Sequence, residues 1–435
     1  MAAPTTTRHV GVALGWVAAG SMLANLCSYL VHVVASAWFL TPAEYGELAV
    51  LGSAMLVLGV PALALQAVVA REVARGTEVS GLRALIVRST AVVTALTVVA
   101  VPVVAVIART GWMPTAAALA TAPPLAVIAA GQGILQGRHS FRALSSILAL
   151  TGMLRAVPVI VALMVGAGPG GALLAGTIGA VVAAGGASVL AGSSSRRRNQ
   201  GTPAPAAAAA VPDVLRASQV QLVLIVASSV DLLLARAVLG AADAGVYALG
   251  AIATKVAFWL PQAVGVVAYP RLADPVRSRE SLRCAIGVVA AIGAVLTVAA
   301  GLAGPAVPLV VGADYRPLAT ILWVFTYTGA ALAVLQVLLL AAIAAGTTRM
   351  AALTWAGTVI EVVGIIAVAR SVPALAATAA VTVTIAVALT LMARWSPRPL
   401  SLRLDLPSLR SRMVLASLRV RLDLPSLRSP WSRLP

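Results

Sequence analysis

A chain of 435 residues with 60% hydrophobic residues, 10% charged residues and a mean hydropathy of +1.00 cannot be a water-soluble domain, in which charged side chains usually make up about a quarter. The aromatic share is 4% and the apolar mass is Ala, Val, Leu and Gly, a composition that suits closely packed helices rather than the alternating strands of a membrane barrel. A net charge of +18 would suggest nucleic acid in a soluble protein, but arginine is confined to short gaps between apolar runs. Topology explains the charge and no nucleic-acid partner is expected.

The first apolar run, 10–40 behind Arg8, is about twice as long as the core of a signal peptide and reads as a retained first span. At about 20 residues per crossing, the runs divide near 12–39, 46–70, 84–108, 115–137, 143–165 and 170–192, then 214–239, 245–269, 284–310, 317–345, 350–369 and 372–393. Gly304-Pro305 and Pro308 interrupt the ninth and tenth runs. Counted on alternate sides, sixteen arginines, among them Arg71, Arg75, Arg138 and Arg283, fall on one side and four, Arg109, Arg236, Arg316 and Arg370, on the other. Positive charge collects on the cytoplasmic side, so the expected fold is an all-α, multi-pass protein of about twelve spans with both termini cytoplasmic. Its predicted parts are an N-terminal lobe (1–192), a polar linker (193–213) with Arg196-Arg-Arg198, a C-terminal lobe (214–395) and a basic tail (396–435) holding RLDLPSLRS twice.

Between the first two runs lies a polar island, WFLTPAEYGELA at 38–49, and 199 residues later VLGAADAGVYA at 238–248 occupies the same place between runs seven and eight. Leu40 matches Leu239, Glu44 matches Asp243, Gly46 matches Gly245 and Ala49 matches Ala248. Six spans separate the copies, so the two lobes repeat in the same orientation. Thr41-Pro42 ends the first helix, Glu44 suits an N-terminal cap and Gly46 permits close helix approach. A structural hairpin is the first expectation for Glu44, Tyr45, Asp243 and Tyr247, and an external gate contact the second.

LTPAEYG after run one, Asp231 and LGAADAGVYA around 231–248, YPRLA at 269–273 and PLVVGADY at 308–315 resemble, in order and in side, the polysaccharide (O-antigen type) flippases of the multidrug/oligosaccharidyl-lipid/polysaccharide exporter superfamily. That resemblance implies two six-helix lobes around a central cavity in a bacterial cytoplasmic membrane. It also implies alternating-access transfer of an undecaprenyl-pyrophosphate-linked glycan to the outer leaflet, beside other membrane proteins of polysaccharide assembly.

Charges inside spans are costly and default to function or mutual pairing. They are Arg155, Asp231, Lys255, the only lysine, and Glu361, with Asn25 among the uncharged polar residues. One reading has Arg155 and Lys255 holding a pyrophosphate in a cavity while Asp231 and Glu361 balance it or bind a coupling cation, Na+ or H+. The other makes Lys255–Asp231 and Arg155–Glu361 buried ion pairs. Cys27 and Cys284 lie far apart in apolar surroundings, and neither a disulfide, a metal site nor another cofactor is expected. The external gaps are short and hold no nucleophile or metal constellation, so an enzyme is not expected. A multidrug/cation antiporter of the same superfamily, a lipid II flippase and a membrane glycosyltransferase or polymerase are the alternatives.

Overall fold

The computed structural model describes residues 5–196, 211–261, 278–344 and 349–395. The motif at 269–273, most of the linker and the duplicated tail lie outside the described residues. The chain divides into two compact units, Met1–Thr390 and Leu391–Pro435, and the fold is that of the first.

Every regular element among the described residues is helical. Among the described residues, eleven helices are long and apolar enough to cross a membrane: Gly15–Phe39, Pro42–Ala74, Val79–Ile107, Trp112–Gly137, Phe141–Met164, Pro169–Gly192, Gln221–Val238, Ala241–Trp259, Glu280–Val311, Leu318–Ala342 and Val372–Ala393. A shorter apolar helix, Leu353–Val368, lies between the last two. Counted as the eleventh, it completes twelve among the described residues, and each predicted run overlaps one of them.

The differences have local causes. The second helix starts at Pro42, earlier than its apolar run, because Thr41 and Glu44 close a capping box and proline occupies the first turn. The described part of the eighth ends at Trp259 with a turn at 260–261, and the remainder of its predicted run lies outside the described residues. Helix also continues from the sixth span to Arg196 and resumes at Val211, inside the predicted linker. Proline explains the interruptions in the second helix at Gly59, before Pro61, and in the fourth at 120–121, before Pro123-Pro124. In the ninth, a 3-10 turn runs from Gly304 to Ala306. The seventh breaks without proline or glycine, at Ser228-Ser229, between Val211–Ala227 and Val230–Val238.

Small residues set the helix contacts, as expected where lipid removes the hydrophobic drive between helices. The first helix packs on the fifth, where Gly20 meets Ser145 and Gly152 meets Ala24. Gly133 seats the fourth helix against Val69 of the second, and Gly293 seats the ninth against Ala330 of the tenth. The eighth and tenth helices meet through Gly250 on the Phe325 ring and through a hydrogen bond from Thr254 Oγ1 to the Phe325 carbonyl (2.9 Å). The eleventh and twelfth meet at Gly357 and Ala386 and at Gly364 and Thr378. One buried cluster joins both lobes, running from Tyr45, Leu48 and Val50 through Leu232 and Tyr247 to Phe325, Ile365 and Leu375.

Candidate functional site

The repeat hairpins build the rim of the site. Glu44 Oε2 accepts hydrogen bonds from the Thr41 backbone N–H and from Thr41 Oγ1, both at 2.9 Å, so its carboxylate serves the start of the second helix. Asp243 stands exposed in the first turn of the eighth. The matched glycines face each other: a Cβ on Gly46 would lie 2.8 Å from the Gly245 nitrogen, and one on Gly245 would overlap the Pro42 carbonyl. The lobes therefore meet backbone to backbone at the two copies of the motif. Arg236, at the end of the seventh helix, clamps this crossing by donating to the Ala43 carbonyl (2.8 Å) and the Arg109 carbonyl (3.4 Å). Glu47 accepts from the Gly111 N–H (2.7 Å) and sets its charge against Arg236.

Behind the rim sits a layer of buried tyrosines, with Tyr45 0%, Tyr247 1% and Tyr315 2% exposed. The rings of Tyr45 and Tyr315 meet edge to face at 6.5 Å, and those of Tyr247 and Phe325 at 5.1 Å. Burial, with Asp314 beside it, pushes the Tyr315 phenol up to about 12, so it stays neutral at physiological pH, and its hydroxyl has no hydrogen-bond partner among the described residues.

Further in lie the charges. Lys255 of the eighth helix donates to Ser53 Oγ of the second (2.6 Å), a bond between lobes. Asp231, 4% exposed, accepts from the Tyr247 hydroxyl (2.6 Å) and from the Leu232 N–H (2.7 Å). Glu361, buried on the eleventh helix, is near enough to Asp231 for the two carboxylates to act on each other. Arg155 of the fifth helix points one guanidinium nitrogen at Met55 Sδ (3.3 Å). Both cations thus reach one turn of the second helix, at Ser53 and Met55. Neither ion pair of the alternative reading forms: among the described residues, the ion pairs are those of Glu72 with Arg71 (3.7 Å) and Arg75 (3.1 Å). Lys255 acts on Asp231 through its field alone. Asn25, on the first helix, is exposed.

Sequence reasoning passed over His32. Its Nδ1 lies 3.3 Å from the Tyr45 hydroxyl, and Lys255 acts on it as it does on Asp231. The signal was available, because the offset of 199 residues that matches Glu44 with Asp243 also matches His32 with Asp231. Each group bonds a tyrosine from the helix that follows it, and those tyrosines sit about one turn out of register. Ser229, at the break in the seventh helix, was also missed; it is 1% exposed and its hydroxyl has no partner among the described residues.

No protein-family model matches the chain, and no curated protein matches it. Solved structures share its fold over nearly the whole length. An inward-facing multidrug resistance MATE family transporter of the MOP superfamily superposes with a TM-score of 0.64 at 15% identity, over 92% of this chain and 96% of that one. The lipid II flippase MurJ, in an inward closed conformation, gives 0.61 at 10% identity over 86% of each chain. A MOP superfamily transporter from Pyrococcus furiosus gives 0.61 at 15% identity, over 94% of this chain and 96% of that one. At these identities the likeness establishes the fold: a two-lobed, multi-pass arrangement shared with MATE transporters and MurJ.

Proposed function

We propose that the chain is a non-enzymatic membrane transporter. On this reading it flips a lipid-linked glycan precursor from the cytoplasmic to the outer leaflet, with both termini in the cytoplasm of a bacterial cell. The observation that carries this reading is the state of Lys255 and Arg155. Two cations in the interior of a membrane fold touch one turn of the second helix, and their polar neighbours there are a serine hydroxyl and a thioether. An intramembrane charge without a protein counter-ion calls for a ligand, and a pyrophosphate offers charged oxygens to both an ammonium and a guanidinium.

The carboxylates support an accompanying cation. Asp231 and Glu361, on the seventh and eleventh helices, repel each other, and a Na+ or H+ would relieve that repulsion. Tyr247 fixes one Asp231 oxygen. The same carboxylates favour a second reading, a multidrug/cation antiporter in which they hold the cargo. Reconstitution into proteoliposomes separates the two. Transbilayer movement of undecaprenyl-pyrophosphoryl-N-acetylglucosamine, without efflux of tetraphenylphosphonium, is the expected result. Efflux of the organic cation alone would replace the flippase by the antiporter.

A further inference from the structure

The first helix carries three distinct faces. Gly20 and Ala24 lie against Ser145 and Gly152 of the fifth helix, and at about 100° per residue Cys27, Val31 and Val34 continue that strip. Met22, Leu26, Leu30 and Val33 form a second strip, apolar and exposed. The third holds Ser21, Asn25, Ser28, Tyr29 and His32, which at about 100° per residue share a sector roughly 100° wide.

That third face turns toward the interior between the lobes, because its upper residue, His32, meets Tyr45 of the second helix and feels Lys255 of the eighth. One and two turns away along the helix, Ser28 and Asn25 are exposed, and neither has a hydrogen-bond partner among the described residues. Other hydroxyls in these helices turn back on their own backbone, as Ser36 does to the His32 carbonyl (2.8 Å) and Thr97 to the Val93 carbonyl (2.9 Å). Asn25 lies about 15 Å along the helix from Gly15, in the middle of the span. A carboxamide at that depth requires water or a polar ligand.

We infer that Asn25 and Ser28 form a neutral glycan subsite, which binds the sugar next to the pyrophosphate that Lys255 and Arg155 hold. This rests on the flippase reading and adds the residues that distinguish a sugar-bearing carrier lipid from a bare one. The chemistry is complementary: an amide and a hydroxyl offer donors and acceptors without charge, as sugar hydroxyls do. An anion would be drawn instead to the Lys255 end of the same face. The exposed apolar strip on the neighbouring sector can accompany the lipid chain while the polar face takes the head-group.

The test uses the full-length protein in detergent and compares binding of undecaprenyl pyrophosphate with undecaprenyl-pyrophosphoryl-N-acetylglucosamine. Wild type should bind the sugar-bearing lipid about tenfold more tightly, the worth of one or two neutral hydrogen bonds. Asn25→Ala with Ser28→Ala should erase that preference and leave the affinity for bare undecaprenyl pyrophosphate unchanged. Neither side chain supports packing, so the double variant should fold. A preference that survives in the double variant, equal weakening for both lipids, or no preference in wild type would overturn the subsite and spare the flippase reading. Absence of saturable binding of either lipid would overturn both.

Discussion

Gly46 and Gly245 stand at the point where the second and eighth helices cross: a Cβ on Gly46 would press on the Gly245 backbone, and one on Gly245 would overlap the Pro42 carbonyl. They are the matched glycines of the two repeat hairpins, so the motif present twice in the sequence makes the contact between its own copies. Replacing Gly245 by Ala forces the Pro42 carbonyl away and should lower stability by about 1–3 kcal/mol, the usual cost of overpacking. Gly52→Ala, in the same second helix as Gly46 but with nothing within 4 Å of an added Cβ, should be neutral or stabilise by about 0.5–1 kcal/mol through helix propensity. Thermal unfolding of the two variants in detergent checks the contrast.

Arg236 should act as a clamp between lobes. Arg236→Gln loses the charged donor to the Ala43 and Arg109 carbonyls. Hydrogen bonds from charged groups are worth about 1.5–3 kcal/mol, and at this half-exposed site screening reduces that to about 1 kcal/mol. The expected outcome is a shift toward conformers open at the Glu44 end, read as a longer spin-label distance between Cys residues placed at Glu44 and Asp243. An unchanged distance distribution would deny Arg236 this role.

The proposed orientation puts the hairpins of Glu44, Asp243 and Asp314 outside. In a background with Cys27 and Cys284 replaced, cysteines at those three positions should react with an impermeant thiol reagent in whole cells, and one at Arg75 should not. Labelling at all four would overturn the orientation.

Ser53 supplies the hydrogen bond that Lys255 makes. Ser53→Ala should leave folding within about 1 kcal/mol of wild type and free the ammonium to move. Binding of undecaprenyl pyrophosphate should weaken severalfold, because the cation is no longer held in place. An unchanged affinity would show that Ser53 does not position Lys255.

Helix number and the repeat were legible in the sequence because both depend on hydropathy and on local capping chemistry: the Thr41–Glu44 box and Pro42 announce themselves within four residues. Gly46 was read correctly as a close-approach residue, but its partner was not, since a contact across 199 residues has no local signature. The Lys255–Asp231 pair looked direct because one hairpin joins their helices. In the structure Tyr247 occupies Asp231 and Ser53 occupies Lys255, and serine and tyrosine carry no charge that would mark them. The break at Ser228-Ser229 gave no warning, since neither proline nor glycine is present. His32 was hidden by reading the first helix for charges rather than for a polar face.

Lys255→Met tests the central claim most directly. Lys255 is bonded to a neutral hydroxyl, and Asp231 keeps the Tyr247 and Leu232 donors without it. The variant should therefore fold, reach the membrane and unfold within a few degrees of wild type. Transbilayer movement of undecaprenyl-pyrophosphoryl-N-acetylglucosamine in proteoliposomes should then fall to the level of protein-free vesicles. A folded Lys255→Met protein that moves the lipid at the wild-type rate would contradict the account.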